Sequence, residues 1–398
     1  MDFVFLRKPT WVLTGAWTVN ALAYSIIYPF LPLYLHEVRG IPMATVGMIF
    51  PLMGGALIAA PPLAGAMVDR FGRVPMLQVG QLARGGLFLL LAAMAWCRAP
   101  FWHFAVVLTL NAGVGVSFQV ASNALVNGIA GDKERPRVFS SIRIGNNLGW
   151  ALGPMLGAFL LKMPFEGLFC ATGLLCFLGA WYTGNFCHEP KCAGIPAAKP
   201  PAFASSLRQL RYQPELRRLF SAALPLFLLS SQLYSLLSVY ATGVIKISAN
   251  QLGLLYSLNG FAIILLQMPI TGLLDRLHWS LSRRMVCGAL LYSAGYFSLG
   301  LAGGWWMLAG CVLAITLGEA AAVPTLYAAV GRCSVSGQEG GCMALLELVR
   351  GVGYATGPWL GAIAYEHWAS MPILLWSVLA GLGLLAAAGF SFRKHENS

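Results

Sequence analysis

Charge is what this chain has least of. Only 10% of its 398 residues are charged and just 14 are acidic, against 58% hydrophobic residues and a mean hydropathy of +0.71. A soluble domain carries about 25% charged residues, so the composition excludes one and reads as a membrane protein. The apolar runs lack period-two alternation, which excludes a β-barrel. The opening "MDFVFLRKPTWVL" has no short apolar stretch followed by a small-residue cleavage site. No signal peptide is therefore expected, and the first span stays in the mature protein. Catalytic motifs are missing too: the six histidines are scattered around loops and ends, without an H-E-x-x-H, a nucleophile elbow or a phosphate-binding loop. An enzyme, an ATP-driven pump, a cofactor and a bound metal are not expected. The nine cysteines fall mostly in apolar spans or on the cytoplasmic side, where thiols stay reduced. "CHEPKC", Cys187 to Cys192, has no second pair at zinc-finger spacing and reads as linker.

What the chain does have is helix-length apolar sequence. A bilayer core about 30 Å thick needs about 20 apolar residues of helix. Twelve such runs are expected, at 10–34, 43–68, 74–96, 101–128, 138–161, 165–187, 217–244, 250–274, 283–303, 305–330, 342–365 and 371–392. The longest break, His188 to Glu215, is rich in Pro, Ala, Ser and basic residues, and "SSLRQLRYQPELRRL" within it and beyond reads as an amphipathic surface helix. It divides the chain into bundles 1–187 and 217–398 joined by a linker, 188–216. With a cytoplasmic N-terminus, nineteen Lys and Arg fall on the inner side and four on the outer. That bias places both termini in the cytoplasm. The net charge of +12 is thus a topology signal with some attraction to anionic lipid, and no argument for nucleic acid.

The halves repeat each other. "GWALGPMLGA" (Gly149 to Ala158) matches "GYATGPWLGA" (Gly353 to Ala362) 204 residues on, and Asp69-Arg70 recurs as Asp275-Arg276 206 residues on. Two signals at nearly one offset imply an internal duplication. The first contains Gly149, Gly153, Pro154 and Gly157; its repeat contains Gly357 and Pro358. Glycines four apart let another helix pack closely, and proline removes a backbone bond where a helix can bend.

The cluster "GAMVDRFGR" (Gly65, Asp69, Arg70, Gly72, Arg73), the glycine-proline motif and the six-plus-six layout resemble the major facilitator superfamily, over nearly the whole chain. The glycine-proline motif is similar to that of its twelve-span drug:proton antiporters. The resemblance implies an all-α membrane protein of twelve transmembrane helices in two pseudo-symmetric six-helix bundles, monomeric, with a cavity lined by spans 1, 4, 7 and 10. It also implies that Asp69, supported by Arg70 and Arg73, latches onto the facing end of span 11. Gly65 would allow close approach there, and Gly72 the tight turn.

Polar residues inside apolar spans cost free energy and mark a cavity or a partner. Span 1 carries Trp17, Asn20, Tyr24 and Tyr28; span 4 Asn111, Gln119, Ser122 and Asn123; span 7 Gln232, Tyr234 and Ser235; span 10 Thr316, Glu319 and Tyr327. This aromatic and amide mixture suits an amphipathic organic ligand, and each residue singly also suits an interhelical bond. Glu319 is the candidate proton carrier, or else the ion partner of an Arg on another span. Glu347 and Arg350 are expected to pair, with Arg143, 204 residues before Glu347, as a gate partner for it. Arg84 is expected to snorkel or to hold lipid phosphate. One departure from the family pattern matters: where drug:proton antiporters carry R-x-x-x-G in span 4, this chain has "NAGVG", with Asn111 at the arginine position. The leading expectation is proton-coupled export. An uncoupled facilitator or importer, a lipid transporter and a ligand-binding sensor remain as alternatives.

Overall fold

Proline decides where the first helix changes pitch. The computed structural model describes residues 8–129, 135–161, 163–188, 212–334 and 339–391. Helix α1 (Lys8–Ile27) runs to "YPFLPLYL", where Pro29 and Pro32 lack the N–H that an α-helical turn needs. The chain continues as a 3-10 turn (Tyr28–Phe30), an α-turn (Leu31–Leu33) and a π-helical turn (Tyr34–Val38).

Next come a short helix (Met43–Gly47), α2 (Ile49–Phe71), α3 (Arg73–Trp96), α4 (Phe101–Ile129), α5 (Arg135–Leu160) and α6 (Phe165–Phe186). The second half repeats this order. It begins with α7 (Pro214–Ser230), a 3-10 turn (Ser231–Tyr234) and a helix (Leu236–Gly243) bent by 43° from what precedes it. Then follow α8 (Ala249–Arg276), α9 (Leu281–Leu299), α10 (Trp305–Cys333), α11 (Glu339–Trp368) and α12 (Pro372–Phe390). Among the described residues eight helices are long and apolar enough to cross a membrane, or nine with the bent pair as one. Helices α5, α9 and α11 are long enough at 26, 19 and 30 residues, but too polar for that test. Residues 189–211 of the linker lie outside the described residues, among them the first part of the expected surface helix and Lys191 and Cys192 of the "CHEPKC" stretch; the rest of the surface-helix stretch, from Pro214, is the start of α7.

Contacts divide the chain into two compact units: Met1–Ile41, Pro51–Ile195 and Ser248–Gly260 form one; Pro42–Phe50, Pro196–Ile247 and Phe261–Ser398 form the other. Residues 42 and 248, where the two exchanged segments begin, are 206 apart, the offset of the Asp-Arg repeat. Packing is duplicated as well. In the first unit α1 packs on α5 and α3 on α4 and α6; in the second α7 packs on α11 and α9 on α10 and α12. Even the connecting loops repeat, with Gly40 at φ 66° and Lys246 at φ 65°, 206 residues apart.

Candidate transport sites

The glycine stripes do what their spacing suggests. On α5, a Cβ at Gly149 would stand 2.6 Å from the Ala21 methyl and 2.7 Å from the Leu22 nitrogen; one at Gly153 would strike Ser25, and one at Gly157 the Ile26 carbonyl. Helices α1 and α5 therefore touch nearly backbone to backbone, and Ser25 Oγ donates to the Gly149 carbonyl at 2.9 Å. The second unit repeats the seam: Gly353, Gly357 and Gly361 of α11 face Phe227, Leu228, Ser231 and Gln232, and Gln232 Nε2 donates to the Gly357 carbonyl at 2.8 Å. The opposite edge of each motif is tight too. A Cβ at Gly253 would lie 2.7 Å from the Pro154 carbonyl, and one at Gly47 would lie 3.0 Å from Trp359 Cα. Pro154 and Pro358 are buried in these contacts.

In the first unit the polar residues of α1 do converge. Tyr24 and Tyr28 stack at 4.9 Å, and Trp150 of α5 meets them edge-on at 5.7 and 6.0 Å. Asn20 Oδ1 accepts from Arg84 at 2.6 Å and from Gln81 Nε2 at 3.1 Å, and the Arg84 guanidinium lies 5.9 Å from the Tyr24 ring centre. Arg84 is 4% exposed, which corrects the expectation that it snorkels to a lipid headgroup: it turns inward, because Asn20 and the Tyr24 ring are its neighbours. Asn111 is also buried, its amide 3.5 Å from the Arg84 carbonyl. Trp17 instead faces α4, donating to Ser122 Oγ at 2.7 Å, while Gln119 and Asn123 are exposed. Gln81 and Trp150 were missed by polar-stripe reasoning. Gln81 and Arg84, three apart on one helical face, were the available signal.

The second unit presents a hydroxyl cluster around an acid. Ser230 Oγ lies 2.9 Å from the Tyr354 hydroxyl and 3.4 Å from that of Tyr292; half-buried Glu319 is close enough to interact electrostatically with both tyrosines. Glu347 is held by its own half, accepting from Tyr327 and pairing with Arg350 at 2.5 Å. The expected Glu347–Arg350 pair is thus made, and Arg143 is exposed. Gln232 is fully buried within its seam, and Tyr234 is half-buried at the 3-10 turn.

At the loop cluster, Gly72 adopts φ 95°, a conformation that favours glycine. Asp69 is exposed, and Arg70 lies over the Phe71 ring at 5.2 Å, with Arg73 half-buried. A Cβ at Gly65 would meet nothing within 4 Å. The repeat is knit differently from the first copy: Asp275 pairs with Arg284 at 2.6 Å, and the same guanidinium donates to the carbonyls of Leu274 and Trp279 at 3.1 and 2.9 Å.

The sequence matches a family model described as Major Facilitator Superfamily over residues 13–276 and 219–398. The chain belongs to the major facilitator superfamily. It is 27% identical over 393 residues to a multidrug resistance protein MdtH of Photorhabdus laumondii, covering 95% of this chain and 93% of that one. Against MdtH of Escherichia coli it is 25% identical over 385 residues, covering 93% and 91%. Among solved structures it is similar in fold to a bacterial homologue of the human lysosomal transporter Spinster, at TM-score 0.79 and 12% identity, covering 96% and 95%. As a major facilitator protein with apolar spanning helices it is an integral membrane transporter of small molecules, not an enzyme.

Proposed function

We propose that this transporter exports small amphipathic organic molecules by alternating access, in exchange for protons. The observation that carries the reading is the duplicated glycine seam. Where two helices meet without side chains between them, few interdigitated contacts must break for one to slide on the other, and each compact unit has such a seam on both edges of its glycine-proline motif. The relatives' name, multidrug resistance protein, supports export of organic molecules. In this reading all twelve helical segments cross the membrane, both termini are cytoplasmic, the membrane is a bacterial inner membrane and the monomer suffices. Bundles 1–187 and 217–398, joined by the 188–216 linker, are the moving bodies. Substrate contacts Trp17, Asn20, Tyr24, Tyr28, Asn111, Gln119 and Asn123 in the first half and Gln232, Tyr234 and Tyr327 in the second. Glu319 binds proton and substrate alternately, with Glu347, Arg350 and Arg143 as auxiliary charges, and Asp69 with Arg70 and Arg73 latches the cytoplasmic side.

Proteoliposomes loaded with a pH-sensitive dye test this directly. Substrate-driven proton movement is expected in the wild type and absent in Glu319→Gln; substrate flux indifferent to the gradient would sink the coupling. Asn111 favours a second reading, an uncoupled facilitator, because the span 4 arginine of the antiporter pattern is not at its position. That reading expects downhill flux unchanged between pH 6 and pH 8.

A further inference from the structure

We infer that Arg84, with Asn20, Tyr24 and Trp150, forms an anion-recognising subsite in the first unit, so that the transported amphiphile carries a negatively charged group beside an aromatic or apolar body. The inference rests on the transport reading and adds the class of substrate to it.

A guanidinium has five N–H donors and no acceptor. At 4% exposure Arg84 is nearly sealed from solvent, yet its one hydrogen-bond acceptor among the described residues is Asn20 Oδ1, a neutral amide already shared with Gln81. Its Nε has no partner, nor has Gln81 Oε1. Burying a charge without an opposite one is costly, so the fold maintains here an attraction for an anion that it does not itself satisfy. Nor can a near carboxylate be supplied by the same half. Of its described acids, Glu37 and Asp69 lie at span ends, and Glu166 is in the first turn of α6, whereas Arg84 sits midway along α3.

Shape agrees with charge. The α4 residue beside the guanidinium is Gly115, where a Cβ would stand 3.6 Å from Arg84 Nε; a larger side chain there would fill the space beside the donor. Gly115 belongs to "NAGVG", so a cation absent from α4 itself is delivered from α3 to the same turn. Across the repeat, Gly115 is 204 residues from Glu319, the offset of the glycine motifs. Equivalent places in the two halves thus hold charges of opposite sign, one borne on α10 and one reaching α4 from its neighbour. Half-buried Tyr24, Tyr28 and Trp150 supply stacking surface for the ligand body, and Tyr24 is the ring that touches the guanidinium.

The test uses tryptophan quenching of the purified full chain in detergent by 1-pyrenebutyrate and by its neutral methyl ester. The wild type is expected to bind the carboxylate about tenfold tighter than the ester, the range of a charge-assisted hydrogen bond. Arg84→Gln should abolish that preference while leaving ester affinity within about twofold. Arg84→Lys keeps the charge without the planar fork, guards against a folding failure, and should keep a reduced preference. No preference in the wild type, or an undiminished one in Arg84→Gln, overturns the subsite. Competition by phosphatidylglycerol assigns the anion to a lipid headgroup and competition by inorganic phosphate to the free ion; displacement by neither leaves an organic carboxylate. Flux of pyrenebutyrate is measured in parallel in liposomes. A carboxylate preference without flux defeats the transport reading and spares the subsite, and flux without the preference does the reverse.

Discussion

Arg284 shows how one side chain can close a turn that its sequence neighbours leave open. It is 13% exposed and ties Asp275 and two carbonyls at the end of α8, while Asp275 is 62% exposed. A half-exposed ion pair contributes about 0–1 kcal/mol, but losing the guanidinium also removes its bonds to the Leu274 and Trp279 carbonyls. Arg284→Met is therefore expected to lower the melting temperature in detergent clearly more than Asp275→Asn, read by a thermal unfolding assay. Equal effects would mean that the ion pair, rather than the carbonyl bonds, carries the turn. The Asp-Arg repeat was legible as a motif, but Arg276, its literal arginine, is not the one that pairs. Helical periodicity says which residues share a face; it does not say which long side chain returns to the end of the previous helix. Arg84 failed for the same reason. A lone arginine in an apolar span fits snorkelling as well as burial until Asn20 and Tyr24 are known to lie beside it.

At the scale of elements, the glycine seam of α5 and α1 is the feature most sensitive to one added methyl. The Cβ of Gly153→Ala would strike Ser25, and overpacking of this kind costs about 1–3 kcal/mol. Gly153→Ala should lower thermal stability and slow transport, whereas Gly65→Ala, facing open space, should leave stability unchanged. A stable Gly153→Ala protein with normal flux would argue that the seam is static. The loops carry a milder strain. Lys246 holds φ 65°, a conformation costing an L-residue about 1 kcal/mol, and its counterpart is already glycine. Lys246→Gly should accordingly raise stability by about 0.5–1 kcal/mol, seen as a higher melting temperature. Direction in the membrane is testable on the same scale: Cys97, exposed just after α3, should label with an impermeant maleimide added outside right-side-out cells. Cys187, buried at the other end of the bundle just after α6, should resist it, being on the side expected to face the cytoplasm.

At the scale of the whole molecule, the two halves carry the same scaffold and different chemistry. One offers an aromatic cluster around a buried cation, the other hydroxyls around a half-buried acid. If the loop cluster is a latch, Asp69→Asn should cut transport by about tenfold or more, the loss of a charge-assisted contact made in only one state. Binding of substrate to the solubilised protein should persist. Loss of binding with loss of folding would instead make Asp69 structural.

The sequence alone determined the membrane class, the helical segments, the duplication and the family, because each is written in local properties: runs of about 20 apolar residues, glycines four apart, an Asp-Arg turn repeated at one offset. Gln232, Glu347 and Arg84 were all visible as polar residues inside spans, and of their partners only Arg350 for Glu347 followed from local spacing. Tertiary structure made the first a bond across the seam, gave the second Tyr327, and left the third buried with one neutral acceptor. It also assigned residues 42–50 and 248–260 to the unit opposite their own half. The physical reason is that a helix's amphipathic pattern specifies which face is covered, while the neighbour that covers it lies far away in the chain.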